Sequence, residues 1–202
     1  MPHSVPTKPD KCYHHGNLRE ALVVAGLDLL ESAGLEALSL RGIAALAGVS
    51  HTAPKNHFDS KRALATALAT EGFWKLAIAL HEAVDSAGPR RESLRQAARS
   101  YVGFALDHPA LFELMFSTTH CDRKDANLAE AEGAALQTLT ELAGGLDWKR
   151  NHAPFGHQRT EWMLWSYMHG YAMLALSGRF LCDASGKPVH DVVKIMPDFN
   201  YG

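Results

Sequence analysis

Apolar side chains recur every three to four residues over most of this chain, and nowhere do they alternate convincingly with polar ones. That period belongs to helices that bury one face. Leu18, Leu22, Ala25, Leu29 and Leu30 set a first helix starting near Gly16-Asn17, and Gly34 stands where a C-terminal cap is needed. Ser39 is an N-cap for a short helix, Leu40 to Leu46, closed by Gly48. Ser50 opens a second short helix ending around Phe58, with Pro54 within about its first turn, where a missing N–H costs little. Ser60 caps a long helix to about Ser86, broken by Gly88-Pro89.

The helical pattern continues. Leu94, Ala98, Tyr101 and Ala105 share one face of a helix from Arg90 to Leu106, and Pro109 restarts a short apolar helix to Phe116. Ser117 to Lys124 is polar and reads as a loop. Leu128, Ala131, Leu136, Leu139 and Leu142 mark another helix, stopped by Gly144-Gly145. A long helix follows from His157 to about Phe180, and a final short one fits Val189 to Met196. The expected fold is all-α, with about nine helices and no internal repeat. The first twelve residues carry three prolines and little apolar content, the make-up of a flexible arm.

Composition narrows the class. The chain has 202 residues, 47% hydrophobic and 21% charged, enough for a core and too apolar for a disordered segment. The longest uncharged runs, such as Trp162 to Ser177, are interrupted by Ser166 and His169 and fall short of a membrane span, so no membrane is expected. The N-terminus lacks the apolar stretch of a signal peptide, which points to the cytoplasm. Cys12, Cys121 and Cys182 are odd in number and free of CxxC spacing, so they read as reduced thiols. A net charge of −2 argues at first against nucleic acid. Residues 1–75 hold eight Lys/Arg against seven Asp/Glu, and residues 76–202 twelve against fifteen, an asymmetry too mild to decide anything.

The informative stretch is Ser39 to His57. Leu40, Ile43, Ala44 and Val49 are placed to pack inward, and Gly48 sits where the chain must reverse between two short helices. The second helix spends its surface on His51, Thr52, Lys55, Asn56 and His57, every one a hydrogen-bonding residue suited to base edges in a major groove. Ser50 and Thr52 near its start can meet phosphate oxygens, and Ser39, Arg41 and Lys61 complete the expected DNA-binding set.

These residues resemble a known family. Tyr13-His14-His15-Gly16-Asn17-Leu18-Arg19, the Leu40–Phe58 segment and Lys61 are similar to the DNA-binding head of TetR-type transcriptional regulators over about residues 13–70. Tyr101 to Phe116, and later Trp165 with His169-Gly170, resemble one subgroup of TetR regulatory domains. The resemblance implies an arm over 1–12, a helix-turn-helix domain over 13–70, and a helical ligand-binding and dimerisation domain over 71–202. It also implies a palindromic double-stranded operator and a small-molecule effector. The chain departs from the family at Lys55, where a Tyr is usual, and at Asn56, where a basic residue is common.

The helix from His157 is apolar nearly all round, which requires burial on more than one side. One side, with Met163, Tyr167, Gly170, Tyr171 and Leu174, is expected to meet a second copy, giving a two-fold homodimer with paired reading heads. The other carries Trp162, Trp165 and His169. With Tyr101, Phe104, Phe112, Met115 and Phe116 these residues are expected to line an effector pocket for an apolar or aromatic small molecule, His169 being its polar anchor. The long helix from Ser60 joins head to body and is the natural lever. The histidine clusters His14-His15, His120-Cys121 and His152/His157 lack structural zinc spacing, no catalytic motif is present, and neither cofactor nor metal is expected. A helical adaptor without DNA binding is the alternative.

Overall fold

The computed structural model describes residues 16–144, 146–147, 156–184, 188–196 and 200–201. The expected arm over 1–12 and the Tyr13-His14-His15 segment lie outside them. Seven α-helices are described: α1 Gly16–Ala37, α2 Leu40–Leu46, α3 Lys61–Asp85, α4 Arg90–Asp107, α5 Pro109–Met115, α6 Ala126–Ala143 and α7 Gly156–Leu176. Two 3-10 turns, Ala53–Asn56 and Val192–Ile195, bring the helical elements among the described residues to nine. The all-α expectation holds; the extended structure is a two-residue antiparallel pair, Leu146 opposite Tyr201 and Asp147 opposite Asn200, and a bridge between Cys182 and Pro188.

Three expected elements differ from those observed. The helix drawn from Ser50 to Phe58 is a single 3-10 turn, Ala53–Asn56. An α-helix would need the residue-54 N–H to reach the Ser50 carbonyl, and proline has none. Ala53 N–H takes that carbonyl instead at 3.0 Å, and Lys55 N–H bonds Thr52 O at 3.1 Å, so the segment winds tighter. The helix drawn to Phe180 ends at Leu176, because Gly178 adopts a left-handed φ of 67° and the Gly178 and Arg179 amides close back on Ala175 O and Leu174 O. The helix drawn over Val189–Met196 shrinks to a 3-10 turn. Val189 N–H pairs with Leu181 O, and the carbonyls of His190 and Val192 accept from tyrosine hydroxyls.

The described residues divide between two compact units, with α3 and α6 each contributing residues to both. One comprises the described part of Thr7–Trp74 with His108–Glu132. Its core is Leu22, Leu30, Ile43, Phe58, Leu64, Leu68, Phe112 and Met115, all nearly or fully buried. Gly34, at φ 77°, breaks α1 before a final turn, and Ser39 Oγ accepts from Gly42 N–H at 3.0 Å to start α2. Helix α5 lies so close to α3 that a Cβ on Gly72 would come within 2.7 Å of Met115 Sδ. The loop after α5 is tied to α3: Arg62 Nη2 donates to Cys121 O at 3.0 Å, and Thr66 Oγ1 accepts from Asp122 N–H at 2.8 Å.

The other unit comprises Lys75–Asp107 with the described part of Gly133–Gly202. Here α4 packs along α7, burying Leu94, Ala98, Tyr101 and Ala105 with Leu164, Met168 and Ala172. Arg90 Nη2 donates to the carbonyls of Glu141 and Leu142 at 2.9 and 3.0 Å, satisfying the C-terminal end of α6. Among the described residues α3 alone is long and apolar enough to cross a membrane, but most of that stretch is buried in the fold.

Candidate functional site

Two groups of side chains carry chemistry. The first surrounds the 3-10 turn. Buried Ile43 and Ala44 anchor α2, Gly48 at φ 66° turns the chain, and Val49 N–H bonds Ala44 O at 3.0 Å. This delivers Ser50, His51, Thr52, Lys55 and Asn56 to the surface, all exposed, with His57 half-buried. Buried Pro54 and Phe58 hold the turn from beneath, and the Arg19 guanidinium of α1 stands 5.3 Å over the Phe58 ring. Ser50 Oγ and Thr52 Oγ1 lie 3.2 Å apart. Arg41 is exposed on α2, whereas Ser39 is half-buried and committed to its capping bond. Lys61 is exposed, yet its ammonium donates to Leu35 O at 3.0 Å and Glu36 O at 3.4 Å.

The second group lies between α4 and α7. Tyr101, 1% exposed, has its hydroxyl 3.0 Å from His169 Nδ1 and accepts from Trp165 Nε1–H at 3.3 Å. An indole nitrogen only donates, so the phenol oxygen is fixed as its acceptor. Burial pushes the Tyr101 phenol well above its ordinary range and lowers the His169 pKa, favouring a neutral imidazole. Of the other residues expected with them, Phe104 is buried in the same unit, while Trp162 is 56% exposed. Phe112, Met115 and Phe116 belong to the first unit. There the Phe112 and Phe116 rings stand 4.9 Å apart, and Phe73 meets Phe116 edge-on at 5.4 Å.

The face expected to meet a second copy divides as well. Tyr167 and Tyr171 donate their hydroxyls to the carbonyls of Val192 and His190, and the Tyr171 ring stacks near Phe180 at 4.7 Å. Burial raises both phenols, Tyr167 to about 12. Met163 is half-buried, Leu174 is exposed, and a Cβ on Gly170 would meet nothing within 4 Å. Met173, Leu181, Val189 and Ile195 add exposed apolar surface in this unit.

Several of these partners have no local sequence signal. Arg99 bonds Asp191 Oδ2 through Nη2 at 2.8 Å and Nε at 2.9 Å. Burial raises the Asp191 carboxyl, but the Arg99 hydrogen bond and the Val193 N–H outweigh it, leaving the group below its usual range. Cys121 is buried, its thiol raised to about 11 by desolvation and donating to Leu114 O. His120 bonds the hydroxyls of Ser117 and Thr119. Cys12, His14, His15 and His152 lie outside the described residues, as does the His157 side chain.

A serine-capped helix, a glycine turn and a polar, exposed reading turn define a helix-turn-helix DNA-binding protein. The chain belongs to the TetR family of bacterial regulatory proteins, whose family model matches residues 22–68, while the C-terminal domain model of tetracyclin-repressor-like proteins matches residues 94–196. No curated protein matches it. A solved structure of a protein with unknown function from Rhodococcus sp. RHA1 is 35% identical, with 92% of this chain and 94% of that one covered and a TM-score of 0.71. A TetR family transcription regulator from Marinobacter aquaeolei VT8 is similar at 21% identity, 83% and 87% coverage and a TM-score of 0.59. A TetR variant from Acinetobacter baumannii AYE, solved with minocycline, is similar at 22% identity, 85% and 84% coverage and a TM-score of 0.54.

Proposed function

We propose that this regulator is a homodimeric repressor that leaves a palindromic operator when a small apolar or aromatic effector binds. The observation that carries the DNA reading is the exposure of Ser50, His51, Thr52, Lys55 and Asn56 on one short turn held from beneath by Phe58. Domain limits of 13–70 for the head and 71–202 for the body accompany this reading. Lys55 contacts phosphate as a mobile point charge, where the family's tyrosine would offer a fixed hydroxyl. Arg41 and His57 flank the contact. The test is a gel shift with the duplex flanking the protein's own gene, which also locates the operator. Lys55→Ala flattens the slope of log K against log salt by about 0.9, one phosphate contact. An unchanged slope removes Lys55 from the contact set.

The group of buried Tyr101 with half-buried Trp165 and His169 supports the effector reading, since it places polar atoms in apolar surroundings, as ligand sites do. Ligand that prefers the DNA-incompetent dimer releases the operator in proportion to its differential affinity, with α3 as the lever. His169→Phe with unchanged folding and unchanged induction ends the role given to His169. Exposed Leu174, Met173 and the open Gly170 support pairing through α7, and sedimentation equilibrium reads the mass directly.

A further inference from the structure

We propose that Asp191 and Val192 are the built-in occupants of a carboxylate site on α4 and α7, and that a small apolar monocarboxylate takes the site by displacing them. The donors stand on two helices. From α4, Arg99 directs Nε and Nη2 to Asp191 Oδ2 at 2.9 and 2.8 Å. From α7, Tyr167 and Tyr171 donate their hydroxyls to the carbonyls of Val192 and His190. Val192, 3% exposed, buries its side chain where its turn packs on α4. Three consecutive residues thus supply an apolar side chain, a carboxylate and two carbonyl oxygens to one set of donors. Burial raises both phenols most, and the Asp191 charge adds to it, so the carboxylate and the two hydroxyls share one neighbourhood.

The donors are firmly held and the occupant is not. Helices α4 and α7, of 18 and 21 residues, pack along each other. The occupant belongs to the four-residue 3-10 turn Val192–Ile195, which Asp191 Oδ1 starts by accepting from Val193 N–H at 3.0 Å. Four residues do not sustain a helix of their own. Val192 is the buried residue of that turn, and Val189 and Ile195 to either side are 52% and 54% exposed. The side chains of Arg99 and Asp191 are 43% and 32% exposed, so water screens the pair and a dissolved carboxylate can reach the guanidinium. Glu92 stands farther off, 3.7 Å from Arg99 Nη1, and accepts from Gln96 Nε2 at 2.7 Å, leaving Nε and Nη2 to the occupant. A ligand carboxylate brings two oxygens, one for the guanidinium and one for a tyrosine hydroxyl, and an apolar body for the place of Val192. The site is distinct from the Tyr101–His169 group. Tyr167 and His169 are two residues apart on α7, a rotation of about 200°.

The experiment is calorimetric titration of the full chain at neutral pH with hydrocinnamate, an apolar aromatic acid, and with its uncharged amide. The acid binds the unmutated chain weakly, since the occupant leaves only part of the population open, and it binds better than the amide. Asp191→Asn keeps a cap for Val193 N–H but drops the charge that holds Arg99, so the acid binds about tenfold tighter. Arg99→Met abolishes the preference for acid over amide. Hydrogen exchange reads the displacement itself: saturating acid exposes the Val193 backbone N–H of the unmutated protein and leaves α4 protected. Should Arg99→Met fail to fold, that exchange measurement decides the matter without it. Equal affinity in the unmutated and Asp191→Asn proteins, a preference that survives in Arg99→Met, a Val193 N–H still protected at saturation, or no binding to either protein overturns the proposal. Acid binding that His169→Phe removes and Asp191→Asn leaves unchanged also overturns it, and places the acid in the effector site proposed above. The DNA-binding function is untouched by any of these outcomes.

Discussion

Thr66→Val replaces a hydroxyl by a methyl of nearly equal volume at a position only 4% exposed. The hydroxyl donates to Arg62 O at 2.8 Å and accepts from Asp122 N–H at 2.8 Å, tying the loop after α5 to α3. Loss of the bond to Arg62 O matters little, since that carbonyl sits within α3 and keeps its place in the helical ladder. Loss of the acceptor for Asp122 N–H is the main term. An amide left without a partner beside buried Cys121 costs about 1–3 kcal/mol, and the added methyl returns a fraction of that. The expected net loss is about 1.5 kcal/mol, or roughly 3–6 °C in Tm for a chain of this length. Urea denaturation measures it, with Thr66→Ser as the control that keeps the hydroxyl and loses only a methyl, worth about 0.8 kcal/mol. Hydrogen exchange at the Asp122 amide separates the two causes: it accelerates in the valine variant and not in the serine one. A valine variant within about 0.3 kcal/mol of the unmutated protein, with the Asp122 amide still protected, refutes the reasoning.

Further outcomes follow from the same geometry. Gly48→Ala meets no atom within 4 Å, so its cost is backbone strain at φ 66°, about 1 kcal/mol, read as a lower urea midpoint with unchanged m. Tyr101→Phe removes the acceptor of Trp165 Nε1–H and the partner of His169 Nδ1, destabilising by about 1–2 kcal/mol in the same assay; an unchanged midpoint counts against the bonded group. His169 binds its proton less readily folded than unfolded, so its contribution is complete above pH 6.5 and declines as pH falls below that value. His169→Asn then flattens the stability profile between about pH 7 and 5, and an identical profile rules His169 out as its source. Asp191, with its pKa held below 3.8, contributes above that value and loses its contribution as pH falls through the depressed one, which Asp191→Asn abolishes.

Much of the fold is legible because its determinants are local. Ser39 and Ser60 announce α2 and α3 by caps that act within three residues, and Gly34 and Gly48 mark breaks at positive φ, whereas Gly178 lies inside the apolar period that runs the expected helix on to Phe180. Pro54 was readable as a first-turn proline, but not as the reason the segment stays 3-10, since that depends on which donor reaches Ser50 O. The site residues were legible as types and not as partners. Lys61 has the right character for phosphate, and only the three-dimensional approach of Leu35 and Glu36, 26 and 25 residues earlier, shows that their carbonyls also accept from its ammonium. Tyr167 and Tyr171 likewise carry the apolar period of an interface, while the chain beyond α7 supplies their acceptors.

The ion pair between Arg99 and Asp191 spans 92 residues. At a synthesis rate of about 5–20 residues per second, α4 waits roughly 5–20 s on the ribosome before its carboxylate partner is made. The hydroxyl acceptors of Tyr167 and Tyr171, at Val192 and His190, arrive in the same late stretch. The unit that holds the reading turn ends at Glu132. A nascent chain therefore holds every residue of the unit with the reading turn before Asp191, Val192 and His190, the partners of Arg99, Tyr167 and Tyr171, have been added.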